Sequence, residues 1–370
     1  MSTRVRSYSK INLGLAIGPV RADGFHELTT VYQTLALHDV VKVRARRVSG
    51  ASRLSITTNH PFVPRDGRNT AWKMVERALE EMGVSAEVEI DIDKRLPVQG
   101  GMGAGSANAA AALIGLEREL GIRLAEEERL RVAAEVGSDV PLFLLGGAVL
   151  GTGRGEHVVG VPDLPRLACV IAVPGVGVST PQAFRDWDAL VARKQARGLS
   201  EPDPQGPGLT FAHPPRTLSE LSYAYASCLA GSAEPGTSGI HRDPSSEKKH
   251  SEKKQNGPEA KGESLGDLAE ETLLALVRTG IENDFEQVVF LQYPSLREIK
   301  RQLMGSDSDS ASAEPALYAA LSGSGSALFG LYRSEAGAKA AQQRVHATGV
   351  EAILTETLPR EPYWTRMFAG

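Results

Sequence analysis

Thiols are scarce in this chain. Two cysteines, Cys169 and Cys228, occur in 370 residues, and neither has the partner spacing of a zinc site or a redox motif. The expectation is a protein of a reducing cytoplasm. An excess of one charge is also missing: the net charge is −4 with acidic and basic residues well mixed, which gives no support to a nucleic-acid or polyanion partner. No apolar run reaches the ~18 residues of a membrane span. The first ten residues, Met1 to Lys10, lack the apolar core of a signal peptide. Metal-ligand clusters are absent too: there is no His-Glu-x-x-His, no Cys pair and no EF-hand loop, so no metal ligand is assigned. No internal repeat is visible. With 41% hydrophobic and 23% charged residues, an ordinary globular protein of two domains remains.

Glycine is abundant, and its densest run organises the chain. From Leu96 to Ala112, Gly100, Gly101, Gly103 and Gly105 are followed by a run of alanines leading into Leu113, Ile114 and Leu116. Upstream, Glu87 to Asp93 alternates with period two and reads as a strand with one buried face. The unit is strand, glycine loop, helix. Bare amides at a helix N-terminus, with the positive end of its dipole, suit a phosphate. It is not a Walker A loop, because no Gly-Lys-Ser/Thr follows. It is not a dinucleotide fingerprint, because Ser106 stands where the third glycine belongs.

Around that unit, Ile11–Ile17, Leu28–Leu37, Val40–Arg46 and Leu54–Thr58 read as strands, with a turn over Val20–Glu27. Asn69–Met82 is a helix capped by Asn69, Ser106–Leu120 the helix of the loop, and Ala125–Val136 a third helix broken at Gly137–Pro141. Gly146–Thr152 and Val158–Val161 form a hairpin. The apolar run Leu167–Pro174 starts a second unit, followed by a helix over Thr180–Arg197. From Leu199 to about Glu263, Pro, Gly, Ser and Lys dominate, and this is read as a disordered insertion in which only Leu218–Leu229 has helical spacing. Then come helices over Leu268–Arg278, Phe285–Leu291 and Ser295–Leu303, and a loop over Gly305–Pro315. Strands Ala316–Leu321 and Ala327–Tyr332 are joined by Ser322–Ser326. A helix over Ala336–His346 and a strand over Glu351–Glu356 close the chain. The order of this second unit suits a split βαβ arrangement.

Two glycine-serine loops, Gln99–Ser106 and Ser322–Ser326, lie in separate halves, so one site between the halves is expected. Gly323-Ser324-Gly325 sits between strands and is no nucleophile elbow. Phosphoryl transfer to an alcohol needs backbone donors for the phosphates, a cation, and a carboxylate at the hydroxyl. The glycine loop, Lys10 and Asp139 supply these. Taken singly each has a plainer reading: a tight turn, a surface lysine, a helix-end cap.

Together the residues carry a resemblance. Tyr8-Ser9-Lys10-Ile11-Asn12-Leu13, the glycine loop with Pro97, and Ser322–Ser326 resemble the three motifs of the GHMP small-molecule kinases, in the same order and spacing. Arg21–Leu28, Ser106–Ala110 and Gly137–Phe143 resemble the branch whose acceptor is 4-diphosphocytidyl-2-C-methyl-D-erythritol, in the non-mevalonate isoprenoid pathway. The likeness covers about Arg6–Ala183 and Leu265–Leu358. It implies an α+β, two-domain GHMP kinase fold: an N-terminal mixed αβ domain that binds ATP, over residues 1–164, and a C-terminal ferredoxin-like split βαβ domain over 165–370, interrupted at about 199–263.

By the same resemblance Lys10 and Asp139 take the catalytic positions. Gly101, Met102, Gly103, Ala104, Gly105 and Ser106, with Pro97 and Gly100 before them, embrace the ATP phosphates. Asn69 and Lys94 approach the nucleotide. Asn12, Phe25 and His26 meet the acceptor, and Phe184 stacks on its cytosine. Mg²⁺ is expected from the phosphate chemistry. The partners are then ATP and the cytidine diphosphate methylerythritol, with no nucleic acid or membrane, in a monomer or homodimer. The sequence departs from the family's glycine loop at Met102, Ala104 and Ala107. Ala104 puts a methyl where backbone is expected to approach phosphate, and Phe25 replaces a frequent tyrosine. The rival readings are another GHMP kinase, of mevalonate, homoserine or sugar type, and a non-catalytic binding module of the same fold.

Overall fold

The computed structural model describes residues 2–98, 100–197, 282–305 and 315–369. Gln99, Cys228, the insertion read at 199–263, the helix read over Leu268–Arg278 and the interior of the Gly305–Pro315 loop lie outside the described residues.

Two long strands build the first sheet. β1 (Thr3–Val20) and β2 (His26–Arg47) pair antiparallel around the turn at Arg21–Phe25. β3 (Arg53–Thr58), β4 (Ala86–Asp93), β5 (Ala148–Thr152) and β6 (His157–Gly160) complete six strands in the order β3-β4-β2-β5-β6, with β1 on β2. Only β3 and β4 are parallel. Both long strands exceed the sequence reading, which split β2 at His38-Asp39 and started β1 at Ile11. Hydropathy underestimates them because their polar members are buried and individually bonded. Ser9 Oγ donates to Leu37 O, and Asp39 accepts from the amides of Arg95 and Leu96. A satisfied polar group costs a strand little.

Helices cover one face of this sheet. α1 (Thr70–Met82) begins as read, with the Asn69 side chain accepting from Ala71 N at 2.9 Å. α2 (Ala104–Leu120) is buried on nearly every side from Ala107 to Glu117. Gly115 lets it lie close on the sheet: a Cβ there would come within 2.6 Å of Val43. α3 (Glu126–Val136) follows, then the single turn α4 (Leu142–Leu145), too short to leave a period in the sequence.

The second sheet holds β7 (Ala168–Val173), β8 (Tyr318–Leu321), β9 (Leu328–Tyr332) and β10 (Glu351–Glu356) in the order β10-β7-β9-β8, all antiparallel. That is the order of a split βαβ unit. With it pack α5 (Thr180–Ala196), α6 (Glu286–Gln292), α7 (Pro294–Met304) and α8 (Glu335–Ala347). A last helix, α9 (Arg360–Thr365), contains Pro362 and was not read from the sequence. It returns to the first half: Tyr363 Oη donates to Phe143 O at 2.6 Å and Trp364 Nε1 to Leu145 O at 2.9 Å. Between the sheets lies a third core, with Ile11, Leu13, Val31 and Met102 from one side and Ile171, Phe329 and Leu331 from the other. The candidate site borders this layer. No helix among the described residues is long and apolar enough to cross a membrane.

Candidate active site

Lys10 owes its position to an irregularity in β1. The register slips between Tyr8, opposite His38, and Lys10, opposite Thr34. Bulges of this kind re-aim a side chain and release a backbone group. Here Lys10 N–H donates to Met102 O at 3.1 Å, which brings the glycine loop alongside. Lys10 is 3% exposed. Its ammonium donates to Asn12 Oδ1 at 2.7 Å, and Asn12 Nδ2 donates to Thr30 Oγ1 at 2.7 Å. Lys10 and Asn12 are two apart in a strand and so share one face.

The two glycine-serine loops lie against each other. Ala327 N donates to Gly100 O and Ser322 Oγ to Gly101 O. Side chains cannot enter this contact. A Cβ on Gly101, whose φ is +78°, would stand 2.2 Å from Ser322 O, and one on Gly325 would stand 2.6 Å from Gly101 N. Gly103 is left-handed at φ +69° and ends the loop as the N-cap of α2, with no side-chain cap. Ala107 N donates to Gly103 O at 2.8 Å. The amides of Ala104, Gly105 and Ser106 form the open first turn of the helix, where an anion is favoured. Ala104 is the first helical residue, so α2 starts two residues before the reading from Ser106. Its backbone is helical, a conformation alanine prefers. Met102 is 1% exposed and packs into the layer between the sheets, while Ala107 faces the core beside α1.

Asp139 reaches the same place from the other side. After α3, the Gly137–Val140 turn is pinned by buried Val140, Leu142 and Phe143, leaving Asp139 a third exposed. Its Oδ2 is 3.4 Å from Lys10 Nζ, and its Oδ1 accepts from Tyr32 Oη at 3.1 Å. Tyr32 is 2% exposed, and burial beside this carboxylate holds its phenol well above the usual range. The sequence reading missed Tyr32, which lies in a strand with nothing to distinguish it from a core residue. Gly323, with φ +61°, closes the group: a Cβ there would lie 3.3 Å from Asn12 Oδ1 and 3.4 Å from Lys10 Nζ.

His26, Phe184 and Asp188 form a second cluster. His26 Nδ1 lies 2.9 Å from Gly18 O and Nε2 3.1 Å from Asp188 Oδ1. The Phe184 ring stacks on the imidazole at 5.0 Å and 11°. Phe184 and Asp188 are one turn apart on α5, which puts both on one face. That spacing was the available signal for Asp188. Phe25 does not join them: it is 54% exposed, with the Arg154 guanidinium 5.0 Å from its ring.

Asn69 and Lys94 have side chains already engaged. Asn69 caps α1 and donates to Pro64 O. Lys94 Nζ donates to Asp39 at 2.7 Å in a pair shut off from solvent, where burial pulls the lysine below its usual range and Asp39 opposes the shift. Pro97 is half-buried against Gly100. Thr70 Oγ1 donates to Gly105 O at 2.7 Å and ties α1 to the first turn of α2. A cleft of about 720 Å³ lies elsewhere, between His38 and Arg95 on one side and Arg166, Arg333 and Thr355 on the other. It is open, and no member of the Lys10–Asp139 group lines it.

Residues 69–147 match the model of the GHMP kinases N terminal domain, and residues 263–351 that of the GHMP kinases C terminal. The 4-diphosphocytidyl-2-C-methyl-D-erythritol kinase of Rhodococcus jostii (strain RHA1) is 44% identical over 202 residues, 54% of this chain and 63% of that protein. The protein of the same name from Nocardia farcinica (strain IFM 10152) is 43% identical over 201 residues, 54% and 64% of the two chains. The matched stretch thus spans less than two thirds of these relatives' length. A crystal structure of 4-(cytidine 5'-diphospho)-2C-methyl-D-erythritol kinase superposes with a TM-score of 0.60 at 25% identity, covering 96% of this chain and 99% of that one. The homoserine kinase of Cytophaga hutchinsonii shares the fold, at 18% identity and a TM-score of 0.61, over 97% and 95% of the two chains. With both domain models matched in order and a solved kinase of this kind superposing over 96% of the chain, the chain has the two-domain fold of the GHMP kinases.

Proposed function

We propose that this protein transfers the γ-phosphoryl group of ATP to the 2-hydroxyl of 4-diphosphocytidyl-2-C-methyl-D-erythritol. The observation that carries the reaction class is the Lys10–Asp139 pair, 3.4 Å apart, between the open N-terminus of α2 and the Gly323 turn. A cation, a carboxylate and backbone donors are the parts such a transfer needs. In this reading the α2 amides and Gly101–Ser106 cradle the phosphates. The acceptor oxygen attacks the γ-phosphorus, the bond to the β–γ bridging oxygen breaks, and ADP leaves. The hydroxyl proton passes to Asp139, and Lys10 offsets charge on the transferring group. Mg²⁺ enters with the nucleotide as part of that substrate. Among the described residues, no group of three or more His, Cys, Asp or Glu side chains forms a ready-made metal cage.

The acceptor is supported by the names of relatives at 38–44% identity and by the His26–Phe184 stack, a flat surface for a pyrimidine. Residues 1–164 would hold the nucleotide, with 165–370 supplying the Gly323 loop and Phe184. Asn69 would act at the nucleotide side by capping α1, and Lys94 by holding the Asp39 carboxylate that accepts from the Arg95 and Leu96 amides, since their polar groups are engaged. The protein would work in the cytoplasm.

One coupled ADP-release assay tests this, with the cytidine substrate, its uridine analogue, methylerythritol phosphate, mevalonate and homoserine as acceptors. Turnover confined to the cytidine substrate is expected. Turnover on mevalonate or homoserine moves the protein to another branch, and ATP binding without turnover on any acceptor makes it a binding module.

A further inference from the structure

One short turn, Asn283–Glu286, joins β1, the Gly323 loop and Phe184 without lying in the candidate site. Asn283 is 1% exposed. Its amide nitrogen donates to Leu321 O at 2.9 Å and Gly323 O at 2.6 Å, and its Oδ1 accepts from Phe285 N at 3.1 Å. Both donors are spent on the chain leading into the second glycine-serine loop. Glu286 grips the same strand end, with Oε1 accepting from Leu321 N at 2.8 Å and Oε2 from Lys300 Nζ at 2.6 Å.

The other half of the turn holds β1. Leu15 N donates to Glu282 O, Asp284 N donates to Leu15 O at 2.9 Å, and the Asp284 carboxylate accepts from Ile17 N at 2.8 Å. Phe285 then meets Phe184, the ring that stacks on His26, at 4.9 Å and nearly at right angles. The turn therefore bonds to the strand that carries Lys10 and Asn12, and to the loop whose Gly323 abuts both.

We propose that Asn283 is a positioning residue for phosphoryl transfer. By holding the carbonyls of Leu321 and Gly323 while its neighbour Asp284 holds β1, it sets the spacing between the Gly323 loop and the Lys10 ammonium. This rests on the kinase reading above. The distance at stake is short. The Cβ position of Gly323 is 3.4 Å from Lys10 Nζ, and a displacement of about 1 Å in a reacting constellation costs up to ~10²-fold in rate. The amide is also hard to replace, because two carbonyls left without donors in a dry interior are costly.

The test uses the full chain with Asn283→Ala and Asn283→Asp. In Asn283→Ala, kcat is expected to fall about ten- to a hundredfold while KM for ATP and for the acceptor moves less than about threefold, and the folded fraction is unchanged. Amide exchange at Leu321 and Ser322 is expected to quicken. In Asn283→Asp the ionised carboxylate repels both carbonyls, but its protonated form restores one donor. Its turnover relative to wild type should therefore recover as the pH falls, and that of Asn283→Ala should not. Unchanged kcat in folded Asn283→Ala overturns the proposal, as does a loss that only follows the unfolded fraction. If Asn283→Ala fails to fold, a pH-independent deficit in Asn283→Asp overturns it. A wild type that phosphorylates no acceptor defeats the kinase reading instead. The exchange measurement needs no turnover and then decides for or against the clasp.

Discussion

Lys10 and Asp139 face each other at 3.4 Å, the lysine buried and the aspartate a third open to solvent. They come from opposite ends of the first half of the chain, and each is held by a partner of its own. Asn12 takes the ammonium at 2.7 Å, and Tyr32 donates to the carboxylate at 3.1 Å. The open side of Asp139 is where an acceptor hydroxyl can approach.

Asp139→Asn keeps the shape and removes the carboxylate proposed to accept the hydroxyl proton. A positioned base contributes typically ~10²–10⁴-fold, so turnover should drop by about that factor with KM little changed. Tyr32→Phe removes one hydrogen bond to a charged group, worth ~1.5–3 kcal/mol, so kcat should fall about tenfold. Steady-state kinetics by ADP release measures both. Near-normal turnover in Asp139→Asn would take that residue out of the mechanism.

Gly103→Val should weaken ATP far more than the acceptor. The residue sits at φ +69°, and a Cβ there would meet the Phe143 ring at 2.9 Å and the Lys10 stem at 3.1 Å. A left-handed non-glycine costs ~1–2 kcal/mol before the clash is counted. Calorimetric titration of both ligands distinguishes the outcomes, since equal losses would point to collapse of the loop.

Phe184→Ala should raise KM for the cytidine acceptor and leave that for ATP nearly unchanged. Base–aromatic stacking in single-strand binders is worth ~1–3 kcal/mol, which allows a rise of about tenfold. The uridine analogue should be a poor acceptor for the wild type, because buried polar groups matched to one base are left unpaired by another. If cytidine and uridine acceptors serve equally, the His26–Phe184 pair is not a base site.

Glu286 provides a pH-dependent test of the turn it belongs to. Burial raises its carboxyl above the usual range, with Lys300 and the Leu321 amide only partly offsetting this. A carboxyl with a raised folded pKa binds protons more tightly folded than unfolded. Its contribution is present below the unfolded pKa and is lost as pH rises through the folded one. The stability of wild type relative to Glu286→Gln should therefore decline from the ordinary carboxylate pKa upward and level off above the raised value. Denaturant melts of the two proteins across this range measure it. A flat difference would mean that the carboxylate is fully compensated in place.

Local signals in the chain were enough for much of this. Period-two alternation in Glu87–Asp93, the Asn69 cap and the alanine run after Gly105 depend on residues close in sequence, so their elements could be read directly. The glycine loop and Ser322–Ser326 were legible as turns for the same reason, since the glycine positions show where side chains are excluded. What they exclude was not legible. Gly101 and Gly325 are bare because each loop presses on the other across more than 200 residues of chain. Tertiary structure alone decided the bulge that turns Lys10 toward Met102 O, the Tyr32 hydroxyl on Asp139, and the return of α9 onto Phe143. It also decided the grip of Asn283 on Leu321 and Gly323. Buried polar residues such as Ser9, Lys10, Asn12 and Asp39 look like loop or surface material in sequence. Their cost is offset only by partners that are distant in the chain, and it is the folded chain that brings those partners within hydrogen-bonding reach.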